Sequence, residues 1–145
     1  MKAVVQRVNK TTLYEGGKLI SQIGKGLVVY FGVAVGDQQK QADYLAKKIS
    51  ALRVFCDENG KMNLSVKDLG LEILCVSQFT LLADVSHGNR PGFSYAEAPE
   101  KANQTYQYFC ERLESEGVTV KRGVFGGDMT IDQQNDGPVT IIYEV

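Results

Sequence analysis

Two hydroxyl residues and a carboxamide stand together in Ser77-Gln78-Phe79-Thr80, at the polar end of an apolar stretch. Such groups can bind a substrate, and a serine or threonine hydroxyl can attack a carbonyl carbon once a base removes its proton. The only histidine is His87, seven residues after Thr80, and a relay through an aspartate is one way to supply that base. No Gly-x-Ser-x-Gly elbow surrounds Ser77, and simple hydrogen bonding at a strand end accounts for the same residues.

A second candidate site lies near the C-terminus, where Gly137-Pro138 follows Asn135-Asp136. Proline cannot donate a hydrogen bond to a sheet, and glycine adopts backbone angles closed to other residues. A Gly-Pro bond can also be cis at a cost of roughly 0.5–1 kcal/mol, which would turn its carbonyl oxygens into a recognition surface. Taken locally, these residues favour a hairpin turn that leads into the last strand.

The composition argues against several kinds of site. One histidine and three scattered cysteines form no metal-ligand cluster, and no phosphate-loop or dinucleotide fingerprint is present, so we expect no metal and no cofactor. The net charge of −1 gives no positive field for a long duplex, although contact with an RNA end stays open. Catalysis would then rest on backbone dipoles, an oxyanion pocket or a reactive group of the substrate.

The 145 residues predict a single domain, residues 1–145. The longest apolar run, at 27–35, is too short for a membrane span, and the first residues become polar too soon for a signal peptide. We therefore expect a cytoplasmic protein with no membrane partner.

The elements that must position these residues follow from the hydrophobic patterning. One helix is predicted from an Asp37 cap to about Leu52, and a second from Pro99 to Gly117. Strands are predicted at 3–9, 12–15, 18–23, 26–34, 53–56, 62–65, 72–81, 118–124, 129–133 and 139–145. This order favours an α+β fold, with a compact, mainly antiparallel, barrel-like sheet and two flanking helices. The sequence pattern is compatible both with a closed barrel and with an open sheet that a second subunit completes.

Five segments together make the sequence resemble the D-aminoacyl-tRNA deacylase family of chiral proofreading enzymes. They occur in order along almost the whole chain, at residues 1–8, 60–65, 77–81, 88–94 and 135–140. The resemblance implies hydrolysis of the ester that joins a D-amino acid to the 3′ end of tRNA, and also of glycyl-tRNA mischarged on tRNA(Ala). It further implies a homodimer with sites at the interface, so the expected partners are the tRNA 3′ end and a second copy of the chain.

The same resemblance implies roles for individual residues. Ser77, Gln78, Phe79 and Thr80 match the catalytic signature, in which backbone N–H groups around Phe79 and Thr80 are candidates for the oxyanion pocket. Gly137-Pro138 corresponds to a cis dipeptide that reaches the partner's site, where its carbonyl oxygens exclude an L side chain. The remaining matches are Arg7, which would hold that loop, and Met62 and Phe125, which would line the adenosine pocket or pack in the core.

Two routes for the attack and two other functions stay open. Thr80 is one candidate nucleophile, and the 2′-hydroxyl of the terminal adenosine is another group that would assist the reaction. A nucleic-acid-binding module without deacylase activity is an alternative function. A conventional serine or threonine hydrolase, which would form an acyl adduct at Ser77 or Thr80, is the other.

Overall fold

Eight strands, two α-helices and one short 3-10 helix make up the computed structural model, which describes all 145 residues. The strands are β1 (Lys2–Glu15), β2 (Lys18–Ile23), β3 (Gly26–Gly32), β4 (Arg53–Cys56), β5 (Met62–Ser65), β6 (Glu72–Ser77), β7 (Thr119–Arg122) and β8 (Met129–Glu144). The helices are α1 (Gln39–Ser50), α2 (Pro99–Ser115) and the 3-10 helix at Phe79–Leu82. No helix has the length and apolar character needed to cross a membrane.

The long strand β1 is the strand on which the main sheet is built. Its first half pairs with β3 and its second half with β2, while β8 runs antiparallel along the opposite edge. Beyond β3 the sheet continues through β6 to β7. The sheet curls until Ser21 on β2 donates a hydrogen bond to the carbonyl of Arg122 on β7, at 2.6 Å. The result is a nearly closed, barrel-like sheet.

The predicted fold class is confirmed, with one feature that the sequence did not predict. Most strand pairs are antiparallel, including the separate β4–β5 hairpin, but β3–β6 and β6–β7 are parallel. A parallel pair needs a long crossover connection, commonly a helix. Here α1 and α2 lie within those two connections.

Both faces of the central strands are buried, as their continuous apolar sequence predicted. Leu27, Val29 and Phe31 of β3 face a core that α1 and α2 cover, and the rings of Phe31 and Phe109 stack at 4.1 Å. Val28 points instead into the curl of the sheet, where it joins a smaller cluster with residues of β1, β2 and β6. Two cores therefore fix β3 and β6 from opposite sides.

Several local predictions are confirmed. Gly16 and Gly17 form the turn between β1 and β2, with φ of +54° and +78°. Pro99 stands at the first turn of α2, and Gly117, with φ of +88°, follows its end.

Other boundaries were wrong. Asp37 does not cap α1, because its carboxylate accepts the Ala34 N–H and pairs with the Met1 ammonium, and Gln38 stands at the cap. The strand predicted at 72–81 ends at Ser77, where the 3-10 helix takes over. The strand predicted at 26–34 ends at Gly32.

The two ends of the chain contain fewer and longer strands than predicted, two instead of four, because β1 and β8 are each continuous. The segments at 3–9 and 12–15 are one strand, and those at 129–133 and 139–145 are another. Gly137-Pro138 is therefore not a hairpin turn but part of β8. Pairing along β1 keeps both chains extended through the polar residues that separate their apolar segments.

Candidate active site

A cavity of about 660 Å³ opens where β6 ends, beside the first turn of α2. Most of its lining is apolar, as is usual for a ligand site. The lining residues are Phe31, Val33, Val76, Ser77, Gln78, Phe79, Phe93, Ala96, Glu97, Ala98, Pro99, Ala102, Tyr106, Phe125, Gly126, Gly127, Asp128, Met129 and Ile131.

The polar end of the cavity is formed where the chain turns from β6 into the 3-10 helix. Gln78 donates its backbone N–H to the carbonyl of Phe31 at 2.8 Å, which ties this turn to β3. The first N–H groups of a helix have no partner within the helix, so those of Phe79 and Thr80 stand at its open end. A Cβ at Gly32 would lie 2.5 Å from Leu82 Cδ2 and 2.9 Å from Gln78 O, so only glycine allows this close approach.

Thr80 is exposed and lies beside the cavity rather than in its lining. Its hydroxyl oxygen accepts a hydrogen bond from Gln78 Nε2 at 2.6 Å. A carboxamide cannot serve as a base, and no imidazole or carboxylate hydrogen-bonds to the hydroxyl of Ser77 or Thr80. The geometry therefore supplies hydroxyl groups without a proton acceptor.

The aromatic wall of the cavity comes from α2 and the segment before β8. The ring centroids of Phe125 and Tyr106 lie 6.1 Å apart. The Tyr106 hydroxyl donates to the carbonyl of Cys75 at 2.8 Å. Burial raises the pKa of Tyr106, so the phenol stays neutral and keeps this hydrogen bond.

Glu97 brings a charge to the cavity that the sequence had not marked as a site residue. Its carboxylate accepts hydrogen bonds from Lys101 Nζ at 2.6 Å and from the Ala98 N–H at 3.0 Å, and its side chain is 10% exposed. These hydrogen bonds hold the pKa of Glu97 below its usual range, and the one from Lys101 has the largest effect. An acidic residue at the start of a helix was the available signal.

The Gly137-Pro138 segment forms a bulge of β8. On β1 only Arg7 separates Gln6 from Val8, whereas on β8 four residues separate their partners Thr140 and Asn135. The Gly137-Pro138 bond is cis, and both residues are exposed.

Arg7 holds this bulge from beneath. Its Nε lies 3.0 Å from the Asp136 carboxylate and also donates to the Asp136 carbonyl at 3.2 Å. A further nitrogen of Arg7 donates to the carbonyl of Val54. The guanidinium thereby connects the bulge with β4.

The sequence-predicted residues thus fall into separate groups within one chain. Ser77, Gln78, Phe79 and Phe125 line one cavity, with Thr80 beside it. Arg7, Gly137 and Pro138 form a second group that does not line it. Met62 belongs to neither, since it lies on β5 with 56% of its surface exposed. No cluster of three or more metal-ligating side chains exists.

These features define a small α+β domain whose cavity has hydroxyl, amide and backbone groups at its polar end, with no base bonded to the hydroxyls. The model of one family, described as D-Tyr-tRNA(Tyr) deacylase, matches residues 4–144. The chain belongs to the D-Tyr-tRNA(Tyr) deacylase family. The resemblance drawn from the five sequence segments is confirmed.

Individual relatives agree with this assignment. Two proteins described as D-aminoacyl-tRNA deacylase are similar over nearly their full length. That of Persephonella marina is 52% identical over 144 residues, which cover 99% of this chain and 97% of the relative. That of Thermodesulfovibrio yellowstonii is 49% identical over 142 residues, covering 98% and 97%.

Two solved structures share the fold. One, described as c-Myc DNA Unwinding Element Binding Protein, has a TM-score of 0.94 at 46% identity and covers 100% of this chain and 99% of its own. Another, described as a probable eukaryotic D-amino acid tRNA deacylase, has a TM-score of 0.85 and covers 99% and 98%. Its 17% identity shows the fold alone.

Proposed function

We propose that this protein hydrolyses the ester bond of D-aminoacyl-tRNA and releases the free D-amino acid and the tRNA. The observation that carries the proposal is the cavity with Ser77, Gln78 and Phe79 at its polar end, in a chain of the deacylase family. Since its substrate is charged tRNA, we place the activity in the cytoplasm.

The scissile carbonyl binds at the polar end of the cavity. The backbone N–H groups of Phe79 and Thr80 stabilise the negative charge that develops on its oxygen, as fixed dipoles do in other acyl transfers. Because neither Ser77 nor Thr80 has a base, the attack relies on the substrate. The 2′-hydroxyl of the terminal adenosine adjoins the ester and assists the attack or positions the water. Phe125 packs against the adenosine.

Gly137 and Pro138 act as the chiral filter in the cavity of a second subunit. Their carbonyl oxygens occupy the space that the side chain of an L-amino acid would need, while a D side chain points away. Two observations support this part: both residues are exposed, and Arg7 anchors their bulge outside the cavity of its own chain. A homodimer supplies the filter to each site.

Two properties follow from a filter made of backbone. It does not depend on which side chain the D-amino acid carries. It also does not fully reject glycine, which has no side chain to exclude, so glycyl-tRNA mischarged on tRNA(Ala) is a further substrate.

The test is deacylation of one tRNA charged with D-tyrosine or with L-tyrosine. We expect release of D-tyrosine and retention of the L-ester. Acid precipitation of the labelled aminoacyl-tRNA measures how much of each ester remains. Equal rates on the two esters would end the proofreading proposal. A tRNA ending in 2′-deoxyadenosine tests the RNA-assisted route separately, because normal hydrolysis of that D-ester would exclude a role for the 2′-hydroxyl.

A second candidate function is binding to nucleic acid without deacylation. It is considered because the solved structure described as c-Myc DNA Unwinding Element Binding Protein is 46% identical to this chain. The balance of 16 basic and 17 acidic residues is unfavourable for a duplex. Tight, salt-sensitive duplex binding by a protein that leaves D-esters intact would support that function. An acyl adduct at Ser77 or Thr80, detected by mass spectrometry, would instead indicate a conventional hydrolase.

A further inference from the structure

Two phenylalanine side chains are exposed together at the mouth of the cavity. Phe79 is 56% exposed and Phe93 37%, and both also line the cavity. Their ring centroids lie 5.0 Å apart, with the ring planes at 65°. Adjacent exposed aromatic side chains beside a ligand site mark a surface that contacts a partner.

The backbone on both sides holds this aromatic pair in place. Phe79 follows Gln78, which is bonded to β3 through the Phe31 carbonyl. Phe93 follows Gly92, which exchanges two backbone hydrogen bonds with Asp84, at 2.7 and 2.8 Å. The carbonyl of Phe93 accepts a further bond from the Ala96 N–H. The pair is therefore preformed, which limits the entropy lost on binding.

The loop closed by Asp84 and Gly92, which leads directly into Phe93, carries free positive charge. Arg90 is exposed and takes part in no ion pair and no side-chain hydrogen bond. The one acid of the loop, Asp84, is occupied by Ser86, whose hydroxyl and N–H donate to it at 2.6 and 2.9 Å. A free guanidinium is well suited to a phosphate.

We propose that Phe79 and Phe93 form a stacking platform for the cytosine that precedes the terminal adenosine of the tRNA, and that Arg90 contacts its phosphate. The inference rests on the proposed function. The 3′ end of tRNA is unpaired, and proteins recognise unpaired bases by stacking them on aromatic side chains. Because the cavity that receives the adenosine opens onto the pair, the next nucleotide leaves the cavity across it.

The test is a binding cycle that does not require hydrolysis. The probe is the trinucleotide cytidine–cytidine–adenosine with a D-amino acid attached through a stable 3′ amide, and a second probe has an abasic middle nucleotide. Stacking of one base on an aromatic residue is worth about 5- to 150-fold in Kd. We expect Phe93→Leu to weaken binding of the first probe by a factor in this range and to leave binding of the abasic probe nearly as in the wild type.

Two variants complete the cycle. Phe93→Tyr keeps an aromatic face and should restore the affinity for the cytosine probe. Tyr44→Leu removes an exposed aromatic side chain of α1 that lies outside the cavity, and should change neither Kd. An equal loss of affinity for both probes in Phe93→Leu would overturn the platform, because Phe93 would then only shape the cavity.

The phosphate contact has its own measurement. Arg90→Ala should reduce the slope of log Kd against log salt concentration by about 0.7, the value for one phosphate contact in a single strand. Lys18→Ala removes an exposed cation of β2 and should leave the slope unchanged. Equal slopes for Arg90→Ala and the wild type would exclude the contact.

Two further outcomes separate a failure of the stacking platform from a failure of the proposed function. If the second subunit covers the aromatic pair, Phe93→Leu will weaken the dimer in analytical ultracentrifugation and show no dependence on the middle base, which overturns the platform. If the wild type binds the cytosine probe with the expected base dependence but hydrolyses no D-ester, the proposed function fails while the platform stands.

Discussion

The Thr80 hydroxyl is hydrogen-bonded to the side-chain amide of Gln78, whereas a hydroxyl nucleophile would need a base beside it. The bond from Gln78 Nε2 fixes the hydroxyl but does not remove its proton. We therefore expect Thr80→Val to keep kcat for a D-ester within about fivefold of the wild type, whereas loss of a nucleophile costs about 10⁴-fold or more. Single-turnover deacylation measures the difference, and a loss near the larger value would restore Thr80 as the nucleophile.

Arg7 is expected to be a positioning residue for the bulge of β8. Arg7→Lys keeps the charge but loses the forked geometry that reaches both Asp136 and Val54. We expect a lower free energy of unfolding, by about 2 kcal/mol for the lost charged hydrogen bonds, and a smaller ratio of D to L hydrolysis.

The matched control for Arg7 is Lys2→Ala, which removes a partly exposed ion pair with Glu144 between the same two strands. It should change stability by about 0.5 kcal/mol or less and leave the D/L ratio intact. An Arg7→Lys protein with the wild-type D/L ratio would show that the bulge needs no anchor.

Glu97 should make the stability of the protein depend on pH, and the sign of this dependence follows from its lowered pKa. Since its pKa is lower in the folded protein, its contribution to stability is complete above the unfolded pKa of about 4.3 and is lost as the pH falls through the folded pKa. The difference in Tm between wild type and Glu97→Gln should thus be constant from pH 7 to 5 and shrink below about pH 4. A difference that grows on acidification would contradict the lowered pKa.

At the scale of elements, the site depends on how closely the 3-10 helix approaches β3. Gly32→Ala would place a methyl group against Leu82 Cδ2 and Gln78 O, so the turn that carries Ser77 and Phe79 must move. We expect at least a tenfold loss of kcat for the D-ester and a lower Tm. Gly24→Ala is the control, because nothing lies within 4 Å of its added carbon. Equal activity of the two variants would show that this contact does not position the site.

The sequence predicted those elements whose signals are local. Gly16-Gly17, Pro99 and Gly117 mark their turn and helix ends by backbone chemistry alone, and the structure agrees. The continuity of β8 was not predictable in this way. Asn135 to Pro138 resemble a turn until β1 is present beside them, and it is long-range pairing that keeps the segment extended.

The same distinction applies to the site. Ser77, Gln78, Phe79 and Phe125 were predicted through the family resemblance, and they line one cavity. Glu97 and Phe93 were not, because their position depends on where the start of α2 and the loop before it pack against β6. Met62 lies on a hairpin away from that cavity, and its predicted place against the adenosine remains untested within one chain.

At the scale of the whole molecule, the Gly137-Pro138 bulge, which we propose as the chiral filter, and the cavity lie in different parts of one chain. If they meet between subunits, two defective variants should complement each other. Gly137→Val requires a φ of +123° from a branched residue and brings its side chain against Val139 and Arg7, which disrupts the filter. Phe125→Ala removes the aromatic wall of the cavity.

Mixing, unfolding and refolding these two variants should restore about one quarter of the sites in a random twofold dimer, since each heterodimer has one intact site. The ratio of D- to L-ester hydrolysis measures the recovery, because Gly137→Val alone should hydrolyse both esters, and refolding each variant alone is the control. Absence of recovery in a mixture that forms heterodimers would place the complete site within a single chain.

The pairing of β1 with β8 also bears on the synthesis of the protein. β8 covers the edge of β1 from Lys2 to Glu15, yet it is separated from β1 by nearly the whole chain. At a translation rate of about 5–20 residues per second, that edge stays uncovered for roughly 6 to 26 s on the ribosome. An unpaired edge can recruit strands of other chains. We therefore expect the nascent protein to pass through an aggregation-prone interval that ends only when its last strand emerges.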